Sequence, residues 1–159
     1  MSDSPVLSDR ESRQLESWRG GAARIVFTNG VFDLLHRGHV EYLAEARALG
    51  NCLVVGINSD DSVRRLGKGA GRPFVPAADR AAVVGALRSV DLVVIFDDDT
   101  PERLIREVRP DVLVKGGDWA VDAIVGREFV ESTGGRVVSV PLRPGFSTSA
   151  LVERLRSGG

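Results

Sequence analysis

The only two histidines of the chain lie three positions apart in the segment His36-Arg37-Gly38-His39. Histidines at this spacing at the start of a helix point toward one side, and the glycine between them leaves room for a phosphate to approach the backbone. The free amide groups and positive dipole end of such a helix would add donors for an anion. Spacing alone, however, fits a pair of ordinary polar residues or a chance half of a metal site better. Their place in the fold must therefore decide.

Metal binding by the two histidines is disfavoured by what surrounds them. A catalytic zinc site normally needs a third protein ligand. The chain has no further histidine, its single cysteine, Cys52, lies in an apolar run, and Asp33 is the only candidate carboxylate. We therefore predict no metal ligand in the protein.

Two common phosphate-binding loops are also excluded. No Gly-x-Gly-x-x-Gly follows the first apolar run, and Gly67-Lys68-Gly69 lacks the Ser or Thr that completes a P-loop. An anionic ligand must then be held by other local groups.

Short, β-branched apolar runs alternate along the chain with segments of helical period, which is the pattern of βαβ units and a parallel sheet. Five runs predict strands covered on both faces, because their hydrophobicity is continuous rather than alternating. These strands are 24–28, 52–57, 91–96, 112–114 and 136–140. The predicted fold class is α/β, with a single Rossmann-like, doubly wound, parallel five-stranded sheet and helices on both faces.

Three helices are predicted between the strands, at 40–49, 77–87 and 101–108. Gly50 is expected to end the first of them, and Thr100 to be the N-cap of the third. Residues 1–22 are predicted to be a polar N-terminal arm or a short helix with Ser8-x-x-Glu11 as its capping box, ahead of a single domain over residues 23–159.

Composition excludes several classes of protein. With 159 residues, 43% hydrophobic and 27% charged, the chain is typical of one globular domain. Its net charge of -1 gives no electrostatic footprint for nucleic acid or an anionic membrane surface. The sequence has neither an apolar run long enough to span a membrane nor a signal peptide. We expect a cytoplasmic protein with no nucleic-acid or membrane partner.

The loops that follow the predicted strands are where a ligand is expected, because ligands of open parallel sheets bind at the carboxyl ends of the strands. The histidine segment lies directly between the first strand and its helix, which favours a phosphate site over a chance pair. Ser147-Thr148-Ser149 begins the last helix, where hydroxyls and free amides predict a second phosphate site. Simple N-capping by Ser147 is the alternative.

The segment Thr28-Asn29-Gly30-Val31-Phe32-Asp33, together with His36-Arg37-Gly38-His39, resembles the HxGH signature of the cytidylyltransferase-like nucleotidyltransferase superfamily. The similarity continues through Gly56-Ile57-Asn58-Ser59-Asp60, Arg72-Pro73, Val114-Lys115-Gly116-Gly117-Asp118-Trp119 and Phe146-Ser147-Thr148-Ser149. Within the superfamily the chain most resembles the adenylyltransferases that act on D-glycero-β-D-manno-heptose 1-phosphate, where the transferase is fused to a kinase.

That resemblance implies transfer of AMP from ATP to the sugar 1-phosphate, with Mg²⁺ carried by the ATP. It also implies a stand-alone transferase and a homodimer. His36, His39 and Lys68 are the implied catalytic residues. The residues implied to bind the nucleotide are Thr28, Asn29, Gly30, Phe32, Gly38, His39, Lys115, Gly117, Ser147, Thr148 and Ser149. Those implied to bind the acceptor are Asp33, Arg80, Asp118 and Trp119.

The reaction explains why these residue types are wanted. A phosphate oxygen of the acceptor attacks the α-phosphorus of the triphosphate, and pyrophosphate leaves. A phosphomonoester is largely dianionic near pH 7, so neither a strong general base nor an enzyme nucleophile is needed. Catalysis is then a matter of positioning and of charge stabilisation, with the two histidines as donors to the phosphates.

Several of these residues have simpler explanations. Lys68 and Arg72 could close over the triphosphate or be solvated charges of a Gly-rich loop, and Arg143 could help the second site. Arg80 could be an exposed helix residue, and Asp33 could cap its loop. The segment 58–60 could contact the nucleotide or serve only as a turn, and the segment 116–119 could contact the base or sugar or serve only as a turn.

Two other functions stay open at this point. One is a cytidylyltransferase acting on glycerol 3-phosphate or a similar alcohol phosphate. The other is a nucleotide-binding module that has lost turnover.

Overall fold

A computed structural model describes residues 3–117 and 119–158. Its core is one sheet of five parallel strands in the order β3-β2-β1-β4-β5. The strands are β1 (Ile25–Gly30), β2 (Cys52–Asn58), β3 (Leu92–Phe96), β4 (Val112–Gly116) and β5 (Arg136–Val140). The predicted α/β fold with a doubly wound parallel sheet is therefore confirmed.

Helices cover both faces of this sheet. They are α1 (Asp9–Gly20), α2 (Arg37–Arg47), α3 (Asp60–Arg65), α4 (Ala77–Gly85), α5 (Glu102–Val108), α6 (Arg127–Ser132) and α7 (Thr148–Arg156). One core cluster joins the sheet to α1, α5 and α6, and the other joins it to α2 and α4. Within the described part of the chain, no helix combines the length and the apolar character needed to cross a membrane.

Helix α1 begins as its sequence predicts. The Ser8 hydroxyl accepts a hydrogen bond from the Glu11 N–H, and the Glu11 carboxylate accepts one from the Ser8 N–H. This capping box satisfies two backbone donors that would otherwise lack a partner. Leu15 is buried in the core beneath the helix. The segment is thus helical and packs on the sheet.

Several predicted boundaries were wrong by a few residues. Helix α2 begins at Arg37 rather than 40 and ends at Arg47, so Gly50 is not its cap. Helix α5 begins at Glu102 with Pro101, not Thr100, as its N-cap. The short helices α3 and α6 were not predicted, because six residues give too little periodicity to separate a helix from a turn.

The expectation that every strand is covered on both faces holds for the central strands only. Every residue of β2 is buried, whereas the edge strands β3 and β5 are partly open to solvent, with Ile95 and Arg136 exposed. An edge strand has one neighbour instead of two, so its outer side receives less cover. Sequence hydrophobicity alone does not distinguish the two cases.

The strand order places the reversal point of the sheet between β1 and β4. From β1 the chain first builds outward through β2 and β3, and then returns to add β4 and β5 on the other side. The loops after β1 and β4 leave in opposite directions at such a point, and a crevice opens between them. The histidine segment follows β1, and Lys115 lies near the end of β4.

Candidate active site

The two histidines lie face to face at the start of α2. Their ring centroids are 3.8 Å apart with an interplanar angle of 22°. Phe32 flanks the His39 ring at 5.2 Å, and Phe146, just before α7, lies 6.4 Å from the His36 ring. We refer to residues 36–39 as the histidine site. The structure therefore brings both histidines, as predicted, to one side of the helix N-terminus.

Hydrogen bonding indicates which ring nitrogens carry protons. The His36 backbone N–H donates to Nδ1 of His39 at 3.3 Å. A neutral imidazole whose Nδ1 accepts a hydrogen bond carries its proton on Nε2. Nδ1 of His36 is buried and finds no hydrogen-bond partner in the described chain. His39 is thus set to present an Nε2–H donor to a ligand.

Burial keeps both rings neutral. It lowers the pKa of His36, and it lowers the pKa of His39 to about 4, with the neighbouring His36 adding to the effect. A desolvated ring resists taking up a positive charge. Near pH 7 the histidine site therefore offers neutral hydrogen-bond donors. A bound anion would raise the pKa of both histidines, because its negative charge favours the protonated ring.

The glycine between the histidines is required by packing. A Cβ at Gly38 would lie 2.9 Å from Cβ of Phe146 and 3.0 Å from Nδ1 of His36. A Cβ at Gly30, the last residue of β1, would lie 2.9 Å from Cε2 of Phe32. Phe32 itself has a positive φ of 51°, which a bulky residue adopts only in a constrained loop. The loop after β1 is thus closely packed at both ends.

Thr28 does not reach the surface of the site. It is fully buried, and its hydroxyl lies 2.5 Å from the Tyr42 hydroxyl. Asn29 and Gly30, the next two residues of β1, are half-buried at the end of the strand. Binding of the nucleotide by Thr28 stays a prediction, although Tyr42 covers its side chain in this structure.

Asp33 acts within its own loop region. Its carboxylate accepts hydrogen bonds from the N–H groups of Phe74 and Val75 at 2.9 and 3.0 Å and from Nε of Arg72 at 2.5 Å. Burial alone would raise the pKa of Asp33, but these backbone bonds and Arg72 outweigh it and hold the pKa below its usual value. These contacts fit the alternative of a structural role for Asp33, and its binding of a sugar stays a prediction.

Arg80 is buried, so the alternative that it is an exposed helix residue is wrong. Its side chain has no solvent exposure and forms an ion pair with Asp60 at 2.8 Å. It also donates to the carbonyl oxygens of Val75, Val31 and Asn58. Four of the five guanidinium N–H donors are therefore used inside the protein. Arg80 thus fastens α4 to the ends of β1 and β2, and its contact with the acceptor phosphate stays a prediction.

The segment after β2 serves turn structure. Ser59 caps α3 by accepting a hydrogen bond from the Ser62 N–H at 3.0 Å, and the Asn58 amide donates to the Ser62 hydroxyl. Asp60 accepts from the Ala77 N–H as well as from Arg80. Of the two alternatives for this segment, its contacts support turn chemistry.

Lys115, near the end of β4, lies close enough to Lys68 for the two positive charges to interact. Lys115 is half-buried near the end of β4, with its ammonium group 5.6 Å from the Trp119 ring centroid. Burial lowers the pKa of Lys115, and the nearby positive charge of Lys68 lowers it further. Two cations held near one another favour an anion between them. Both lysines were predicted from the sequence.

The turn after β4 supports Trp119. Gly117 has a φ of +101°, a conformation that glycine adopts readily. The indole N–H of Trp119 donates to the Gly116 carbonyl at 2.9 Å, and half of the residue is exposed. The ring is therefore available to a ligand while its polar atom is satisfied. The predicted acceptor contact at Asp118 lies outside the described residues.

A second candidate phosphate site lies at the start of α7, in residues 147–149, which we call the hydroxyl site. The Ser147 hydroxyl accepts from the Ala150 N–H at 3.0 Å, and the Thr148 hydroxyl donates to the Leu34 carbonyl at 3.2 Å. Ser147 and Ser149 are exposed. N-capping by Ser147 is thus present, and Phe146 places the hydroxyl site beside the histidine site.

Three residues that shape these sites had no role assigned to them from the sequence. Tyr42 contacts Thr28, and Phe146 lies between the two candidate phosphate sites. Glu41 accepts hydrogen bonds from Arg37 and from Arg143, which ties the segment before α7 to α2. Arg143 is therefore paired with a carboxylate. A polar hydroxyl on the apolar side of α2 was the one signal that could have drawn attention to Tyr42.

Comparison with known proteins places the chain among nucleotidyltransferases. A family model described as cytidylyltransferase-like matches residues 27–154. "Bifunctional protein HldE" of Acidiphilium cryptum is 61% identical over 152 residues, which is 96% of this chain and 31% of that protein. The protein of the same name from Geotalea uraniireducens is 58% identical, over 85% of this chain and 27% of that protein.

The chain spans less than a third of the length of these two curated relatives. A solved structure gives a similar result for the fold. It is described as the lipopolysaccharide core biosynthesis protein from Thermoplasma volcanium, with a TM-score of 0.63 and 30% identity. The alignment covers 76% of this chain and 97% of that chain.

Proposed function

This chain belongs to the cytidylyltransferase-like family, and from that premise we propose that it transfers AMP from ATP to D-glycero-β-D-manno-heptose 1-phosphate, giving ADP-heptose and pyrophosphate. The observation that carries the reaction type is the pair of stacked, neutral histidines at the N-terminus of α2, beside the reversal point of the sheet. The choice of acceptor and nucleotide rests on the similarity to bifunctional HldE proteins.

The transfer is direct. An oxygen of the acceptor phosphate forms a bond to the α-phosphorus of ATP while the bond from that phosphorus to the bridging oxygen of pyrophosphate breaks. The attacking oxygen already carries negative charge near pH 7, so no side chain has to remove a proton. What the protein must supply is alignment of the two phosphates and stabilisation of the charge that grows on the oxygens around the α-phosphorus.

The histidine site suits that task. Nε2–H of His39 and the free backbone N–H groups at the start of α2 are donors for the transferring and departing phosphates. Because the rings are desolvated, a hydrogen bond to an anion there is stronger than the same bond in water. Lys115, near the end of β4, and Lys68 add positive charge, and the hydroxyl site adds donors beside Phe146.

Magnesium would arrive with the triphosphate. Among residues 3–117 and 119–158, no three His, Cys, Asp or Glu side chains converge on a point that could hold a metal ion. This donor set does not fit a resident metal, whereas Mg²⁺ keeps several waters and binds mainly to substrate phosphates. We therefore assign the cation to ATP and derive no step from a protein-bound metal.

The test is a pyrophosphate-release assay with a matrix of substrates. ATP and CTP are each combined with D-glycero-β-D-manno-heptose 1-phosphate and with glycerol 3-phosphate. We expect release with ATP and the heptose phosphate, at a rate at least tenfold above that of the other three combinations. Rapid release with CTP and glycerol 3-phosphate would favour the cytidylyltransferase instead, an alternative that the family description keeps open.

Binding without turnover is the third outcome. Tight binding of ATP with no pyrophosphate from any phosphorylated acceptor would identify a nucleotide-binding module. The homodimer and the cytoplasmic location both stay predictions. Sedimentation of the purified chain, with and without ATP, tests the oligomeric state.

A further inference from the structure

The two strands that border the crevice are only briefly paired. Strands β1 and β2 pair over six residue positions, and β4 and β5 pair over five. Between β1 and β4 the register covers only Val26 with Val112 and Phe27 with Leu113. The strands therefore part at the next position, where Thr28 and Val114 would face each other, although both continue toward their carboxyl ends.

Tyr42 of α2 occupies that point of separation. Its hydroxyl lies 2.5 Å from the Thr28 hydroxyl on β1 and donates to the Val114 carbonyl on β4 at 3.4 Å. These are the two residues at the first unpaired position of the register. The single tyrosine hydroxyl thus bridges the strands where their own hydrogen bonds stop, and it supplies a partner to polar groups that are buried.

The tyrosine ring continues this contact toward the crevice. A Cβ at Gly116, the last residue of β4, would lie 3.1 Å from Cε2 and 3.3 Å from Cζ of Tyr42. If the β1–β4 register is extended by three positions beyond the last paired residues, Gly116 lies opposite Gly30. Phe32 occupies the space that a Cβ at Gly30 would need. The ring therefore stands against the end of β4 while its hydroxyl holds β1.

We propose that Tyr42 is a positioning residue for the nucleotide, because its side chain fixes the separation of the carboxyl ends of β1 and β4 and so the width of the crevice between them. The inference rests on the proposed function, since it assumes that the triphosphate and its nucleoside lie in this crevice. Tyr42 does not touch the reacting atoms. It acts through the backbone of Asn29 and Gly30 on one side and through Lys115 on the other.

The chemistry of the residue suits this use. Tyr42 is nearly fully buried, and burial raises its pKa to about 12, although the hydrogen bond with Thr28 acts in the opposite direction. The hydroxyl therefore stays protonated over the working pH range and remains a donor. A rigid ring with a polar tip sets a distance better than a flexible apolar side chain, which could collapse into the gap.

The experiment compares Tyr42→Phe and Tyr42→Leu with the wild-type chain. Each protein is assayed for the dissociation constant of ATP by calorimetry, for kcat and both KM values, and for Tm. The hydroxyl bridge is lost in Tyr42→Phe, so we expect an increase of about tenfold in the Kd and KM of ATP, with little change in the KM of the acceptor. Tyr42→Leu also removes the ring and is expected to weaken ATP binding further.

Leu43→Val is the matched control. Leu43 is the next residue of the same helix and is fully buried in the same core cluster, so the substitution costs stability without changing the bridge. We expect it to lower Tm and leave the Kd of ATP unchanged. If Tyr42→Phe does the same, with wild-type ATP affinity and kcat, then Tyr42 is only a core residue and the proposal is overturned.

Failure of the proposed function is distinguishable from failure of this inference. A wild-type chain that binds ATP but releases no pyrophosphate overturns the proposed reaction, while the ATP affinities of the two Tyr42 variants still test the positioning role. A wild-type chain that does not bind ATP at all overturns both.

Discussion

The two candidate phosphate sites differ in how firmly the protein holds them. The histidine site opens α2, which buries Gly38, Tyr42, Leu43 and Ala46 against the sheet. The hydroxyl site opens α7, which buries none of its residues and leaves Leu155 76% exposed. The first site is thus part of the core, whereas the second lies on a peripheral helix.

This difference predicts a division of labour. A hydrogen-bond donor in a rigid, desolvated site is already oriented when charge develops, so little free energy is spent on reorganisation. Its stabilising effect is therefore greatest in the transition state. A donor on an exposed helix competes with water and contributes mainly to ground-state affinity. We therefore expect substitutions in the histidine site to lower kcat, and substitutions in the hydroxyl site to raise the KM of ATP.

The largest expected effect is that of His39→Ala. Loss of the Nε2–H donor should lower kcat by about 100-fold to 1000-fold, by analogy with the removal of one oxyanion-hole donor. Circular dichroism and Tm should show a folded protein. His39→Gln, which keeps an amide donor, serves as the comparison and should retain more activity than His39→Ala. If His39→Ala turned over as fast as the wild type, the reaction would not depend on the histidine site.

Gly38→Ala is expected to have the next largest effect. The new methyl group would meet Phe146 and His36 at about 3 Å, so these side chains must shift. Because a small misplacement of a catalytic group can cost up to about 100-fold, we expect kcat to fall by about tenfold or more. Gly20→Ala is the control, since a Cβ there meets nothing within 4 Å. Equal activity of both variants would show that the histidines need no fixed position.

Ser147→Ala should have a smaller effect of a different kind. It removes the N-cap of α7, at a cost of about 1 kcal/mol to the stability of that helix, together with one hydroxyl donor. We expect the KM of ATP to rise a few-fold, with kcat within about twofold of the wild type. A loss of kcat as large as that of His39→Ala would contradict the division of labour between the two sites.

The last expected effect concerns the pH dependence of stability and leaves the reaction itself unchanged. The pKa of His39 is about 4 in the folded chain and near 6.5 when the chain is unfolded, so between these values the unfolded state binds more protons. Stability should therefore fall as pH decreases from about 6.5 toward 4. Urea unfolding of the wild type and of His39→Gln at pH 7.5 and 5 measures this contribution. A stability difference between the two proteins that does not depend on pH would show that His39 titrates normally.

The same contrast explains which site residues could be predicted from sequence. The histidine and hydroxyl segments each follow a predicted strand and open a helix, so the short-range pattern was enough to place them. Arg80 and Asp33 have equally polar side chains, yet both are engaged inside the protein by groups far away in sequence, such as Asp60 and Arg72. Local sequence does not indicate whether a charged side chain finds a buried partner.

Tyr42 and Phe146 were missed for a related reason. Tyr42 reads as one more apolar position of α2, and its importance appears only when β1 and β4 are neighbours that part at Thr28 and Val114. Phe146 contacts His36 across more than a hundred residues. Such contacts depend on the order of the strands, which hydrophobic period does not specify.

The sequence by itself determined the parallel α/β fold and the placing of both candidate phosphate sites, because those features depend on periodicity and on short motifs at strand ends. The tertiary structure alone decided which polar residues face the crevice and which hold the protein together. The physical reason is that a charge or hydroxyl takes its role from its burial and partners, and in a sheet that winds in two directions those partners come from distant parts of the chain.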